Sequence, residues 1–156
     1  MNKKEKYEEL AKRALRECMK SDEFSQRSIT SQISALYTKY EDTVEQTELK
    51  EYLNTFCPFF MEIDKEEDIP KFLDILKETF KNEYQKFECN NFKPTQVLAI
   101  LLVLEDLWGY SELKNDVIGK IEKFSSGAAF LVAKLYFWGL DEENLWEFCS
   151  YLNEKY

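Results

Sequence analysis

The sequence predicts an all-α fold, and three observations carry the prediction. Glycine occurs four times and proline three times in 156 residues, fewer turn-formers than a sheet protein spends. Apolar residues recur at three- and four-residue steps along most of the chain. Leu, Lys and Glu, all good helix formers, are common throughout. The length suits one domain spanning 1–156. Hydrophobic residues make up 44% of the chain, 15% being aromatic, enough for a core that needs no staple. About eight helices are expected, packed as helical hairpins, with a solenoid-like C-terminal half as one arrangement of them.

The first helix is expected at about 3–20, with Tyr7, Leu10, Ala11, Ala14, Leu15 and Cys18 forming one stripe. A second runs from about Gln26 to Tyr40 on Ile29, Ile33, Leu36 and Tyr37, with Ser25 as its N-cap. A third, about 44–57, carries Leu49, Tyr52, Leu53 and Phe56 and stops before Pro58, which pushes its predecessor out of the helical region. Residues 59–68, an apolar patch (Phe59, Phe60, Met61) followed by acids, read as a connecting loop. Asp68 then caps a fourth helix, with Pro70 tolerated in its first turn and Phe72, Leu73, Leu76, Phe80, Tyr84 and Phe87 on its face. Asn90 and Asn91 end it.

The fifth helix, about Thr95 to Trp108, is apolar nearly all round and should lie at the centre, with Gly109 as its left-handed stop. Ser111 caps a sixth, carrying Leu113, Val117, Ile118, Ile121 and Phe124, and Ser125, Ser126 and Gly127 break it. The seventh, about 128–138, ends in Trp138-Gly139, and Asp141 caps the eighth, whose first-turn acids favour the helix dipole. Trp108-Gly109 and Trp138-Gly139 stand 30 residues apart, each after an apolar helix and before a polar cap. This weak repeat has the period of stacked hairpins but no family's consensus residues.

The chemistry is mostly exclusion. Without histidine, the chain lacks Ser-His and Cys-His nucleophilic pairs, the HExxH zinc site and the commonest neutral-pH base. Cys18, Cys57, Cys89 and Cys149 stand far apart with no CxxC, so neither zinc nor any other metal or cofactor is expected. They read as free, mostly buried thiols of a cytosolic protein. Residues 1–20 are charged throughout, unlike a signal peptide, and the longest apolar run, Val97 to Leu104, is too short to span a membrane. No glycine-rich phosphate loop occurs. Carboxylate pairs are common, and Glu105-Asp106, following the apolar run, is the one worth inspecting. The expectation is that it ends a helix in water. Trp108, Trp138 and Trp146 read as core, with Tyr110, Trp146, Tyr151 and Tyr156 as an alternative binding frame.

Charge supplies the one positive signal. The net charge is −9, yet residues 1–20 balance at +3 through Lys3, Lys4, Lys6, Lys12, Arg13, Arg16 and Lys20. That basic face reads as solvated, or as docking on the acidic segment, rather than as a phosphate site, because Glu5, Glu8, Glu9 and Glu17 dilute it and the rest of the chain is strongly negative. Residues 41–68 balance at −8. Such a field repels nucleic acid and membranes and attracts basic partners. The expected function is that of a non-enzymatic, protein-binding inhibitor of a basic partner, such as an immunity protein for a toxin nuclease or an inhibitor of a nucleic-acid enzyme. Its expected contacts are Glu41, Asp42, Glu45, Glu48, Phe59, Phe60, Glu62, Asp64, Glu66, Glu67 and Asp68, with Asp141, Glu142, Glu143 and Trp146 near the C-terminus. A helical-repeat scaffold taking a peptide or protein in a groove is the alternative, and a carboxylate–metal enzyme a weaker third.

Overall fold

The computed structural model describes residues 2–20, 22–41, 58–83, 92–109, 115–116, 118–119 and 127–155, with the backbone alone at 38–41 and 66. Among the described residues there are six α-helices, two 3-10 turns and no strand. The helices are α1 (Lys3–Cys18), α2 (Glu23–Glu41), α3 (Ile69–Glu83), α4 (Pro94–Trp108), α5 (Gly127–Phe137) and α6 (Glu142–Lys155). The turns span Pro58–Phe60 and Glu66–Asp68. The helix expected at 44–57 lies outside the described residues, as does the expected end of the fourth; the second runs through its expected end, Tyr40, to Glu41. Of the one expected after Ser111, only 115–116 and 118–119 are described, and these are helical.

Local chemistry explains where the helices begin. Asn2 caps α1, its side chain accepting from the Glu5 amide at 2.8 Å, and all six residues of the expected stripe are buried. The second helix starts three residues before the expected Gln26, because Asp22 caps it rather than Ser25. The Asp22 carboxylate accepts from the Phe24 amide and the Ser25 hydroxyl, both at 3.0 Å. Pro70 does sit in the first turn of α3. Asp141 caps α6, accepting from the Asn144 amide at 3.0 Å.

Both Trp-Gly stops work through glycine. Gly109 has φ +65° and Gly139 φ +88°, in the region where a side chain is strained. The Gly139 and Leu140 amides donate to the Tyr136 and Leu135 carbonyls, closing α5 with a Schellman turn.

Helix α4 holds the molecule together. Ten of its residues, from Pro94 to Leu107, are buried, and it packs against α2, α5 and α6. Val103 and Leu107 join a core with α1, α2 and α3. Val97, Ile100, Leu101 and Leu104 join Phe92, Ala129 and Ala133, and Leu98 and Ala99 join Val132 and α6. Gln96 donates to the Met19 carbonyl at 2.6 Å, tying α4 to the end of α1.

The stretch 59–68, expected as a connecting loop, connects through two 3-10 turns and packs on the core. Phe60 is fully buried and Ile63 nearly so. The Phe60 ring lies 5.5 Å from Phe72 and 5.2 Å from Phe59. Burying such side chains yields about 2–3 kcal/mol each, which offsets the entropy of ordering a short strap.

Candidate functional site

The expected contact residues divide into three groups. The first is spent inside the fold. Lys3 pairs with Asp68 at 3.0 Å and Lys6 with Asp64 at 2.5 Å, while Arg13 pairs with Glu62. The buried Tyr7 hydroxyl donates to Asp68 at 2.7 Å and accepts from the Asp64 amide at 3.0 Å. The bond from Tyr7, together with Lys3, holds the Asp68 carboxyl below its ordinary range. Burial, together with the neighbouring Asp68, pushes the Tyr7 phenol up to about 12. Arg13 lies over the Phe59 ring at 5.7 Å. The acidic strap is thus fastened to the basic face of α1, the docking that was one of the two expectations for that face. Asp68 directly precedes α3, and Tyr7 and Lys3 both meet its Oδ2.

The second group belongs to the core. Phe60 and Trp146 are both fully buried, so neither faces a partner. Phe60 lies between Phe59 and Phe72. Trp146 donates from Nε1 to Glu142 at 3.2 Å and lies under Arg27, which pairs with Glu143. Asp42, Glu45 and Glu48 lie outside the described residues, as do the side chains of Glu41 and Glu66. Tyr110 and Tyr156 lie outside them too.

The third group is free of the core: Glu67, Asp141, Glu142 and Glu143 are all exposed. The last three adjoin an apolar corner that the sequence reading missed. Trp138 is 76% exposed, against the expectation that it packs in the core, and Leu131, Phe137 and Leu140 are about two-fifths exposed. The Schellman turn explains this. The chain leaves α5 at Trp138 and turns toward α6, leaving the indole outside the clusters. Its counterpart Trp108 is half-buried among residues of two of them.

A polar cleft of about 350 Å³ shares Glu142 with this corner. It is lined by Thr30, Ser31, Ser34 and Ala35 from α2, Leu102 and Asp106 from α4, and Glu142 from α6. Asp106 does not end a helix in water: burial pushes its carboxyl up to about 6, while the Ser34 hydroxyl, donating to it, acts against the rise. Glu105 and Glu142 add like-charge repulsion. The signal for its α2 wall was the pair Thr30 and Ser34, four residues apart and so on one helix face.

Burial raises the Cys149 thiol to about 12 and Cys18 further still, so both are poor nucleophiles. Cys57 and Cys89 lie outside the described residues. Among the described residues no three acidic or thiol side chains gather to hold a metal, and no helix is long and apolar enough to cross a membrane. No protein-family model, curated protein or solved structure matches the chain.

Proposed function

We propose that this chain is a protein-binding module that neutralises a basic partner, docking it on the α5–α6 corner. The exposed Trp138 carries the reading. A bare indole beside Phe137 and Leu140, next to Asp141 and Glu142, has the composition of an interface hot spot: an aromatic anchor with charges at its rim. The carboxylates speed encounter with a positive surface, and Trp138 holds it by apolar contact and by cation–π attraction to Lys or Arg. Inhibition of a nuclease toxin or another nucleic-acid enzyme suits this chemistry, because a phosphate-binding surface is basic. The contacts differ from those expected of the 62–68 stretch, where α1 already pairs Glu62, Asp64 and Asp68.

A second reading, a helical-repeat scaffold, draws support from one observation. The Trp108-Gly109 and Trp138-Gly139 stops both end apolar helices on glycines of positive φ.

The test uses the full chain as bait in an extract of its native host, beside Trp138→Ser, at low and high salt. Proteins rich in Lys and Arg should be held by the parent bait and weakened by salt. The variant should hold them about 30-fold more weakly, as for loss of a hot-spot aromatic. Equal retention by both baits, or retention of acidic proteins only, would remove the basis for this reading.

A further inference from the structure

We infer that the cleft between α2 and α4 is a seat for one cationic side-chain head, an ammonium or a guanidinium. That the head belongs to a docked protein rests on the proposed function; the affinity of the cleft for the cation does not.

The lining selects the ligand. Two carboxylates, Asp106 and Glu142, face a space that also holds the hydroxyls of Thr30, Ser31 and Ser34. Anions are repelled there. A purely apolar group would strip water from these polar atoms and give nothing back. A cationic head returns charge-assisted hydrogen bonds to the carboxylates and donates to the hydroxyl oxygens. Leu102 and Ala35 line the same cleft and suit the methylene stem behind such a head.

The surroundings leave the charge for a guest to balance. The groups that perturb Asp106 are Ser34 on α2, Glu105 on α4 and Glu142 on α6. Arg27, one turn before Ser31 on α2, is paired with Glu143. Among the described residues no Lys or Arg pairs with Asp106 or Glu142. The position fits the docking surface, since Glu142 belongs both to the cleft and to the acidic start of α6 beside Trp138.

The test is an NMR titration of the full chain with n-butylammonium and ethylguanidinium at constant ionic strength. Either probe should shift the Thr30, Ser31 and Ser34 amides saturably and move the Asp106 carboxyl midpoint down toward the ordinary carboxylate range. Affinity should fall as the pH drops below about 6, where Asp106 takes up a proton. Asp106→Asn should bind the probe about tenfold more weakly, which is the loss of one charge-assisted bond. Ser34→Ala serves as a second variant and should weaken it less.

Shifts that never saturate, that persist in Asp106→Asn, or that are as large at exposed Asp74 and Glu147 would overturn the assignment. So would saturation by magnesium with none by either organic cation. If the probes bind but no basic protein is retained on the bait, the cation seat stands and the proposed function falls. If the bait succeeds and the probes fail, the seat alone is lost.

Discussion

At Tyr7 one buried hydroxyl joins two elements 57 and 61 residues away, donating to Asp68 and accepting from the Asp64 amide. Tyr7→Phe removes both bonds and leaves the ring in place. It should cost about 1–3 kcal/mol, since the Asp64 amide loses its partner, as read by urea denaturation. An unchanged midpoint would mean that water replaces the hydroxyl at no cost. Asp106 gives a prediction of opposite sign. Its folded carboxyl titrates near 6, above the ordinary 3.8. A raised acid contributes stability below its unfolded value and loses it as the pH rises through the folded one. Asp106→Asn, which keeps an acceptor for Ser34, should therefore match the parent near pH 4. At pH 7 it should be more stable by about 1–2 kcal/mol, allowing for the carboxylate's remaining contact with water. Denaturation at the two pH values decides, and a variant less stable at pH 7 would show that the charged form is favoured in the fold.

The helices are governed by their ends. Gly109 and Gly139 stop α4 and α5 at positive φ, and nothing lies within 4 Å of where a Cβ would stand at either. Alanine there meets no steric clash, only backbone strain. Gly109→Ala and Gly139→Ala should each cost about 1–2 kcal/mol, measured by thermal denaturation, and the two losses should add. A loss confined to one of them would show that the two stops are not equivalent, and would weaken the repeat reading with it. The strap 58–68 is held differently. Its exposed ion pairs to α1 contribute little apiece, so Phe60, seated against Phe72, supplies most of its attachment.

Over the whole molecule, the division between core and free surface assigns the tryptophans opposite roles. Trp146 is fully buried among α4, α5 and α6, and Trp146→Ala should cost about 3–5 kcal/mol. Trp138 stands outside the clusters, and Trp138→Ser should leave stability within about 0.5 kcal/mol of the parent while it weakens partner binding. Denaturation of both variants beside the binding assay separates the roles. A large loss of stability on changing Trp138 would return that residue to the core.

The all-α class, the stripe of α1, the enclosure of α4, the Gly109 stop and the Asp141 cap were all legible in the sequence. Each depends on residues within a turn or two of one another, and helical periodicity and capping act over that range. The free carboxylates were not legible. Asp68 meets Lys3 and Tyr7 across more than sixty residues, so Glu62, Asp64 and Asp68, which look uncompensated along the chain, are paired in space. The same distance hid the setting of Asp106, which burial dominates and to which Ser34 and Glu142, far apart in the sequence, contribute. It also hid the contrast between Trp108 and Trp138, two equal motifs of which only the first is covered by neighbouring helices. Local patterns set what each segment becomes; which charges and rings stay exposed is settled only when distant segments meet, because burial and electrostatic screening depend on neighbours in space.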